Sequence, residues 1–156
     1  MLTVWRLIKS RHASSAFDGE GARLFGARWN SPGVRVAYAA DSPALAVLEV
    51  LVHLQNPRIL ESYSIVQAHL PEHSVATLPP ADLPADWADS PVPPSTQSIG
   101  DSWIESGSSA VLRVPSAVVQ PASNYLINPA HAGYAQITVS HPEPFDFDPR
   151  LFLAIR

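Results

Sequence analysis

Proline is the residue that most limits what this chain can fold into. Sixteen of its 156 residues are proline, about twice the usual share. Each one removes a backbone donor and is excluded from helix interiors and central strands. They are unevenly spread. Pro79, Pro80, Pro84, Pro91, Pro93 and Pro94 fall in one stretch that is also rich in Ala, Asp and Ser. About 79–95 therefore reads as a loop crossing between two halves of one domain spanning 1–156. A true linker is the alternative, but each flank would then be a rather small domain. No internal repeat is visible.

A single chain of 16.8 kDa is long enough to bury one sizeable core without staples. Apolar residues make up 46% and charged residues 15%, which excludes a disordered tail or a coiled coil. The net charge of -4 and pI near 5.8 argue against nucleic acid as a direct partner. The chain has no cysteine, so a disulfide framework and a thiolate nucleophile are excluded. Nine of its ten basic residues are arginine, the better fork for carboxylates and phosphates, although codon bias gives the same skew. The start, MLTVWRLIKSRH, does not read as a signal peptide, and no apolar run is long enough for a membrane span. A soluble cytoplasmic protein is the expectation.

Strand signals dominate. Leu2–Ile8 reads as a strand with Thr3, Val4 and Trp5 favouring it. Ser10–Arg28 contains Gly19, Gly21 and Gly26 among polar residues and reads mostly as loop. Arg35–Ala40 reads as a short strand after the Ser31-Pro32-Gly33 turn. The best helix signal follows: Asp41 or Ser42 as N-cap, Pro43 in the first turn and an apolar run to Leu54. Ile59–Leu70 reads as strand, Ser95–Ser106 as a helix capped by Ser95, and Val111–Val114 as a strand stopped by Pro115. Ala135–Phe147 suggests a final hairpin or pair of short strands. Strands with two convincing helices indicate an α+β fold.

Glu49 is the only polar residue in the run ALAVLEVLV, Ala44–Val52. On a helix it shares a stripe with Leu45 and Val52. Burying a carboxylate there costs several kcal/mol unless it is paired or lines a wet pocket; at a helix edge it reaches solvent or an arginine. The loop Gly26-Ala27-Arg28-Trp29-Asn30-Ser31-Pro32-Gly33 concentrates polar and stacking groups between glycines, either as binding groups or as a surface turn with Trp29 tucked inward. Arg6 interrupts an apolar strand, so it lies at a sheet edge or points into a cleft. Tyr38 is most simply a core aromatic with a satisfied hydroxyl.

Two motifs fail on context. His69-Leu70-Pro71-Glu72-His73 spells H-x-x-E-H, but the motif needs a helix and Pro71 stands in its middle. Gly19-Glu20-Gly21 opens a dinucleotide fingerprint, but Leu24 replaces the third glycine and no strand precedes it. No metal site is expected.

Taken together, FDGEGARLFGARWNSPG, VAYAADSPALAVLEVLVHL, TQSIGDSW, VLRVPSAVV and NYLINPAH resemble the RES-domain toxins of bacterial type II toxin–antitoxin modules (the RES–Xre family). The resemblance runs from about Trp5 to Leu151. The three naming residues carry over as Arg28 in ARWN, Glu49 in AVLEVL and Ser116 in VPSA; Arg6 and Tyr38 match further pocket positions. It implies a fold with mixed, mainly antiparallel sheets, similar to ADP-ribosyltransferases of the diphtheria-toxin kind. It also implies an enzyme that breaks the nicotinamide–ribose bond of NAD+, a substrate rather than a permanently bound cofactor. ADP-ribose would pass to water or phosphate, depleting NAD+, or to a protein such as a nucleotide-synthesis enzyme. The implied partner is a helix-turn-helix antitoxin that covers the active site and carries any DNA binding.

The residues suit that chemistry. Cleaving an N-glycosidic bond builds an oxocarbenium-like ribose, which a nearby carboxylate such as Glu49 stabilises. Arg6 and Arg28 are forks for the pyrophosphate. Tyr38 can stack on nicotinamide, and Ser116 can bond its amide or the ribose. A Ser116-centred hydrolase and a catalytically silent binding module are the alternatives from other classes.

Overall fold

In the computed structural model, residues 1–54 and 62–153 are described. The chain opens with β1 (Leu2–Lys9), a 3₁₀ turn at Ser10–Ser15 and α1 (Glu20–Phe25), then β2 (Ala37–Ala40) and α2 (Pro43–Leu51). After β3 (Tyr63–Leu70) and β4 (Val75–Thr77), a proline-rich crossing leads to α3 (Pro94–Ser106). β5 (Val111–Pro115), β6 (Ser123–Ile127), β7 (Thr138–Val139), β8 (Glu143–Phe145) and α4 (Arg150–Leu153) complete the order. The eight described strands form one sheet, β4-β5-β6-β2-β1-β3-β7, with β8 also on β3. Only β4–β5 is parallel; the other pairs are antiparallel. This is the α+β architecture expected from the strand-rich sequence, with the mainly antiparallel pairing that the family resemblance implied.

The period-2 alternation of the strands sorts the core onto two faces. Val4, Ala37, Ala39, Val66, Ala68, Tyr125 and Ile127 pack with Phe17 on one. Val36, Leu112, Val114 and Leu126 face Trp29 and Trp103 on the other, where Leu7 and Ala40 also meet Leu45 and Ala46 of α2. The crossing is not a free tether. Leu83 and Trp87 pack against the cluster around Trp29 and Trp103.

Several local expectations need correction. The Ser10–Arg28 segment is largely helical rather than loop. Its six-residue α1 sits between Gly19 at φ 75° and Gly26 at φ 71°, so its glycines mark the ends of an element and not its absence. α2 ends at Leu51, not Leu54, because the His53 and Leu54 amides turn back to Val50 and Leu51 in tighter i→i−3 bonds. Ser95 does not cap α3. The helix begins at Pro94 with Pro93 as its cap, and the Ser95 hydroxyl donates instead to Asp86. β5 runs through Pro115, whose missing amide costs nothing at the strand's end. The Arg35–Ala40 strand is narrowed to Ala37–Ala40. For Ile59–Leu70, the first three residues lie outside the described residues and the strand is seen from Tyr63. The last two short strands both pair with β3 and do not form a hairpin. The sequence reading contained neither β4 nor β6.

Candidate active site

Ser42 and Pro43 start α2 as their chemistry dictates: the Ser42 hydroxyl accepts from the Leu45 amide at 3.1 Å and proline occupies the first turn. Asp41 locks this start to β6. Its amide donates to the Ser123 carbonyl, and its carboxylate accepts from the Ser123 amide at 2.8 Å. From that anchor, two turns of helix carry Glu49 over the sheet.

Glu49 is half-buried at the margin of the apolar stripe: Leu45 is buried, whereas Val52 is 55% exposed. The structure resolves the helix-edge alternative differently from either partner considered for it, solvent or an arginine. Glu49 Oε1 accepts from Ser116 Oγ at 2.8 Å and from Asn124 Nδ2 at 2.8 Å. Both donors are neutral, and both use the same carboxylate oxygen. Ser116 is fully buried, and its hydroxyl oxygen in turn accepts from the amides of Val118 and Val119, each at 3.1 Å. With its hydrogen given to Glu49 and its lone pairs facing two amides, Ser116 is an orienting group. Asn124 on β6, opposite Ala40 of β2 and Val114 of β5, is a candidate site residue that the sequence alone did not single out. NYLINPAH contains it, but only its alignment with Glu49 across the sheet marks it.

A second group gathers about β2. Arg6 is not at a sheet edge, because β1 lies between β2 and β3. The β1–β2 ladder contains a single registered pair, Trp5 with Ala40. Beyond it, Arg6 Nη1 donates to the Tyr38 carbonyl at 2.8 Å, so a guanidinium does the work of a ladder donor. Burial lowers the Arg6 pKa from its ordinary value, opposed by its attraction to Tyr38 and Asp18. Its Nε is buried with no hydrogen-bond partner among the described residues. Such an atom is costly unless a ligand or water meets it.

Tyr38 is committed at its hydroxyl, which donates to Asn30 Oδ1 at 2.6 Å and accepts from the Trp29 amide at 3.1 Å. Burial pushes its pKa well above the ordinary phenol range, against the lowering effect of the Trp29 bond. Asn30, fully buried, ties its loop together through bonds from Nδ2 to the carbonyls of Ala22, Ser31 and Val34. Trp29 is inside the core, as one reading of the loop had it, while Arg28 is half-buried and reaches the crossing. Arg28 Nη1 donates to the carbonyls of Trp87 and Asp89 in the crossing, both at 2.9 Å. Thus the structure joins Glu49 with Ser116, and Arg6 with Tyr38 and the Arg28 loop. No hydrogen bond links the two groups among the described residues; β2, which carries Tyr38, lies beside β6, which carries Asn124.

The discarded motifs stay apart. His69 meets Thr3 and Ser140, whereas His73 meets Gln136. No cluster of three or more metal-ligating side chains occurs among the described residues. No described helix is long and apolar enough to cross a membrane.

Residues 3–148 match the RES domain. The chain belongs to the RES-domain family. Its relatives include a protein named Toxin Res from Yersinia enterocolitica, 38% identical over 152 residues that span 96% of this chain and 99% of that one. Another, named Prs ADP-ribosylating toxin, from Sphingobium sp. strain YBL2, is 36% identical over 94% of each chain. Among solved structures, the MbcT–MbcA toxin–antitoxin complex of M. tuberculosis contains a chain with the same fold. There the TM-score is 0.77 at 21% identity, over 99% of this chain and 88% of that one. Of the three residues that the family resemblance singled out, Arg28, Glu49 and Ser116, the last two are in direct contact.

Proposed function

We propose that this RES domain is the toxin of a toxin–antitoxin module and that it cleaves the nicotinamide–ribose bond of NAD+, depleting the dinucleotide. The observation that carries this reading is the state of Glu49. Its carboxylate is oriented by two neutral donors on one oxygen, and no cation neutralises it among the described residues. A fixed anion of this kind favours a reaction that builds positive charge, and departure of nicotinamide leaves such charge on the ribose.

In this mechanism the C–N bond breaks with its electron pair leaving on nicotinamide, and Glu49 stabilises the oxocarbenium-like ribose. Water or phosphate then attacks the anomeric carbon. Arg6, with its unmatched Nε, and Arg28 supply donors for the pyrophosphate. Tyr38 gives a half-buried aromatic wall beside them. Ser116 and Asn124 act by aiming Glu49, so the direct contact of Ser116 with nicotinamide is replaced by an indirect role. A Ser116-centred hydrolase is disfavoured on the same geometry, because the hydroxyl is fully buried and its hydrogen-bonded acceptor is a carboxylate.

Transfer of ADP-ribose to a protein is the second reading, favoured by the name of the Sphingobium relative. A cognate antitoxin that covers the site is proposed as the cellular partner; the fold neighbour comes from a toxin–antitoxin complex. The deciding experiment incubates the protein with NAD+, with and without phosphate and with cell lysate, and resolves the products. Free nicotinamide with ADP-ribose or its phosphate supports depletion. A labelled protein supports transfer, and intact NAD+ throughout overturns both.

A further inference from the structure

The segment Ala27–Ser31 has no regular secondary structure apart from one isolated bridge between Ala27 and Asn30, yet it presents Arg28. Its shape is held from one side by Asn30 and Tyr38, as described above, and from the other by a single face of α3. Gln97, Gly100 and Asp101 are three and four residues apart and so share that face. Gln97 Nε2 donates to the Ala27 carbonyl at 3.2 Å. The Asp101 carboxylate accepts from both the amide of Ser31 at 2.9 Å and its hydroxyl at 2.6 Å. Between them, Gly100 is in such close contact with Trp29 that a Cβ built on it would lie 1.5 Å from the Trp29 carbonyl oxygen. Only glycine allows the helix backbone to approach this loop. The three contacts fall at the residues immediately before, immediately after and three beyond Arg28.

We infer that Gly100 and Asp101 are positioning residues for Arg28: the α3 face is the template on which the Ala27–Ser31 loop is cast, and it sets where the Arg28 guanidinium meets the substrate. This rests on the reading of NAD+ as substrate for its kinetic arm but not for its structural arm. Neither residue touches the reacting atoms in this scheme. A displacement of about 1 Å in a binding group is enough to cost one or two orders of magnitude, so the template carries functional weight beyond stability.

The test uses the full chain. Asp101→Ala removes both contacts to Ser31. Asp101→Asn retains an acceptor for the amide and a donor for the hydroxyl oxygen, and serves as the conservative rescue. Asp101→Ala is expected to raise the KM for NAD+ roughly tenfold with kcat within about threefold, while Asp101→Asn stays near the parent. In an Arg28→Ala background, Asp101→Ala is expected to add nothing further, because the group it positions is gone. Equal effects of Asp101→Ala in the two backgrounds would mark a general structural role and overturn the proposal. A crystal structure of Asp101→Ala reads the same claim without NAD+: Arg28 Nη1 should leave the Trp87 and Asp89 carbonyls. If the parent does not consume NAD+, the functional reading fails, and the crystal structure alone decides the positioning claim; an unmoved Arg28 rejects it. Gly100→Ala, which forces helix and loop apart, is expected to displace Arg28 in the same way where it folds.

Discussion

Ser116 Oγ donates to Glu49 Oε1 at 2.8 Å across 67 residues of sequence. Ser116 Oγ itself accepts from the amides of Val118 and Val119 in the turn that follows it. The serine is therefore fixed by its own backbone before it fixes the glutamate. Its turn belongs to the end of β5, and the glutamate belongs to α2, so the pair couples the sheet to the helix.

Glu49→Gln tests the charge alone. Gln Oε1 can accept the same two bonds from Ser116 and Asn124, so geometry and melting temperature should be retained. Nicotinamide release should fall about a hundredfold or more, roughly 3 kcal/mol of transition-state stabilisation, with a smaller change in NAD+ affinity. Turnover and melting temperature measured on the same variant separate the catalytic role from a structural one; a stable, fully active variant removes Glu49 from the mechanism.

Ser116→Ala leaves the Val118 and Val119 amides without their side-chain acceptor and Glu49 with one donor. A loss of about 1–3 kcal/mol in stability is expected from the buried amides, together with a fall in kcat of about tenfold from the loosened carboxylate. Acyl and phosphonate probes should leave the parent protein unlabelled at Ser116. Stoichiometric labelling there would restore the hydrolase reading.

Asn124→Asp keeps the shape and turns a donor into a second carboxylate against Glu49 Oε1. Two carboxylates so placed share a proton, so one folded-state pKa is raised above its unfolded value of about 4. The stability it contributes is present below that value and lost as pH rises through the folded pKa. The variant should melt close to the parent near pH 4 and well below it near pH 8, as thermal scans at both pH values will show. A uniform deficit at both would place the loss elsewhere.

Tyr38 gives an alkaline limit. Burial raises its folded pKa above the ordinary value of 10.0, so its contribution to stability is fully present below about pH 10 and is lost as pH rises toward the folded pKa. Melting temperature should decline above about pH 10. Tyr38→Phe should start lower, having lost the Asn30 and Trp29 bonds, and decline less steeply. An identical alkaline slope in the two proteins would remove Tyr38 as the source.

What could be read from the residues was whatever a few neighbours decide among themselves. Ser42-Pro43 starts a helix in any context that permits one, because the cap and the restricted φ act within a single turn. The alternation in β1 and β3 marks strands whatever they pair with, and the lone Glu49 among apolar residues singles itself out. The candidate residues of the site stood out in the same local way: a carboxylate in an apolar run, arginines near glycines and a family pattern.

Tertiary structure decided the rest, because those features are defined by partners far away in sequence. β6 is five residues long and shows itself as a strand through its place between β5 and β2. Asn124 becomes a ligand of Glu49 across 75 residues. Arg6 reads as an edge residue or a cleft residue until its strand is seen inside the sheet, where a one-pair ladder leaves a carbonyl for it to bond. Gly100 looks like a flaw in a helix until Trp29 fills the space of its absent Cβ. Local sequence chooses backbone states at the scale of one helical turn or strand; sheet order and helix docking choose which side chains meet, and a site exists only where they meet.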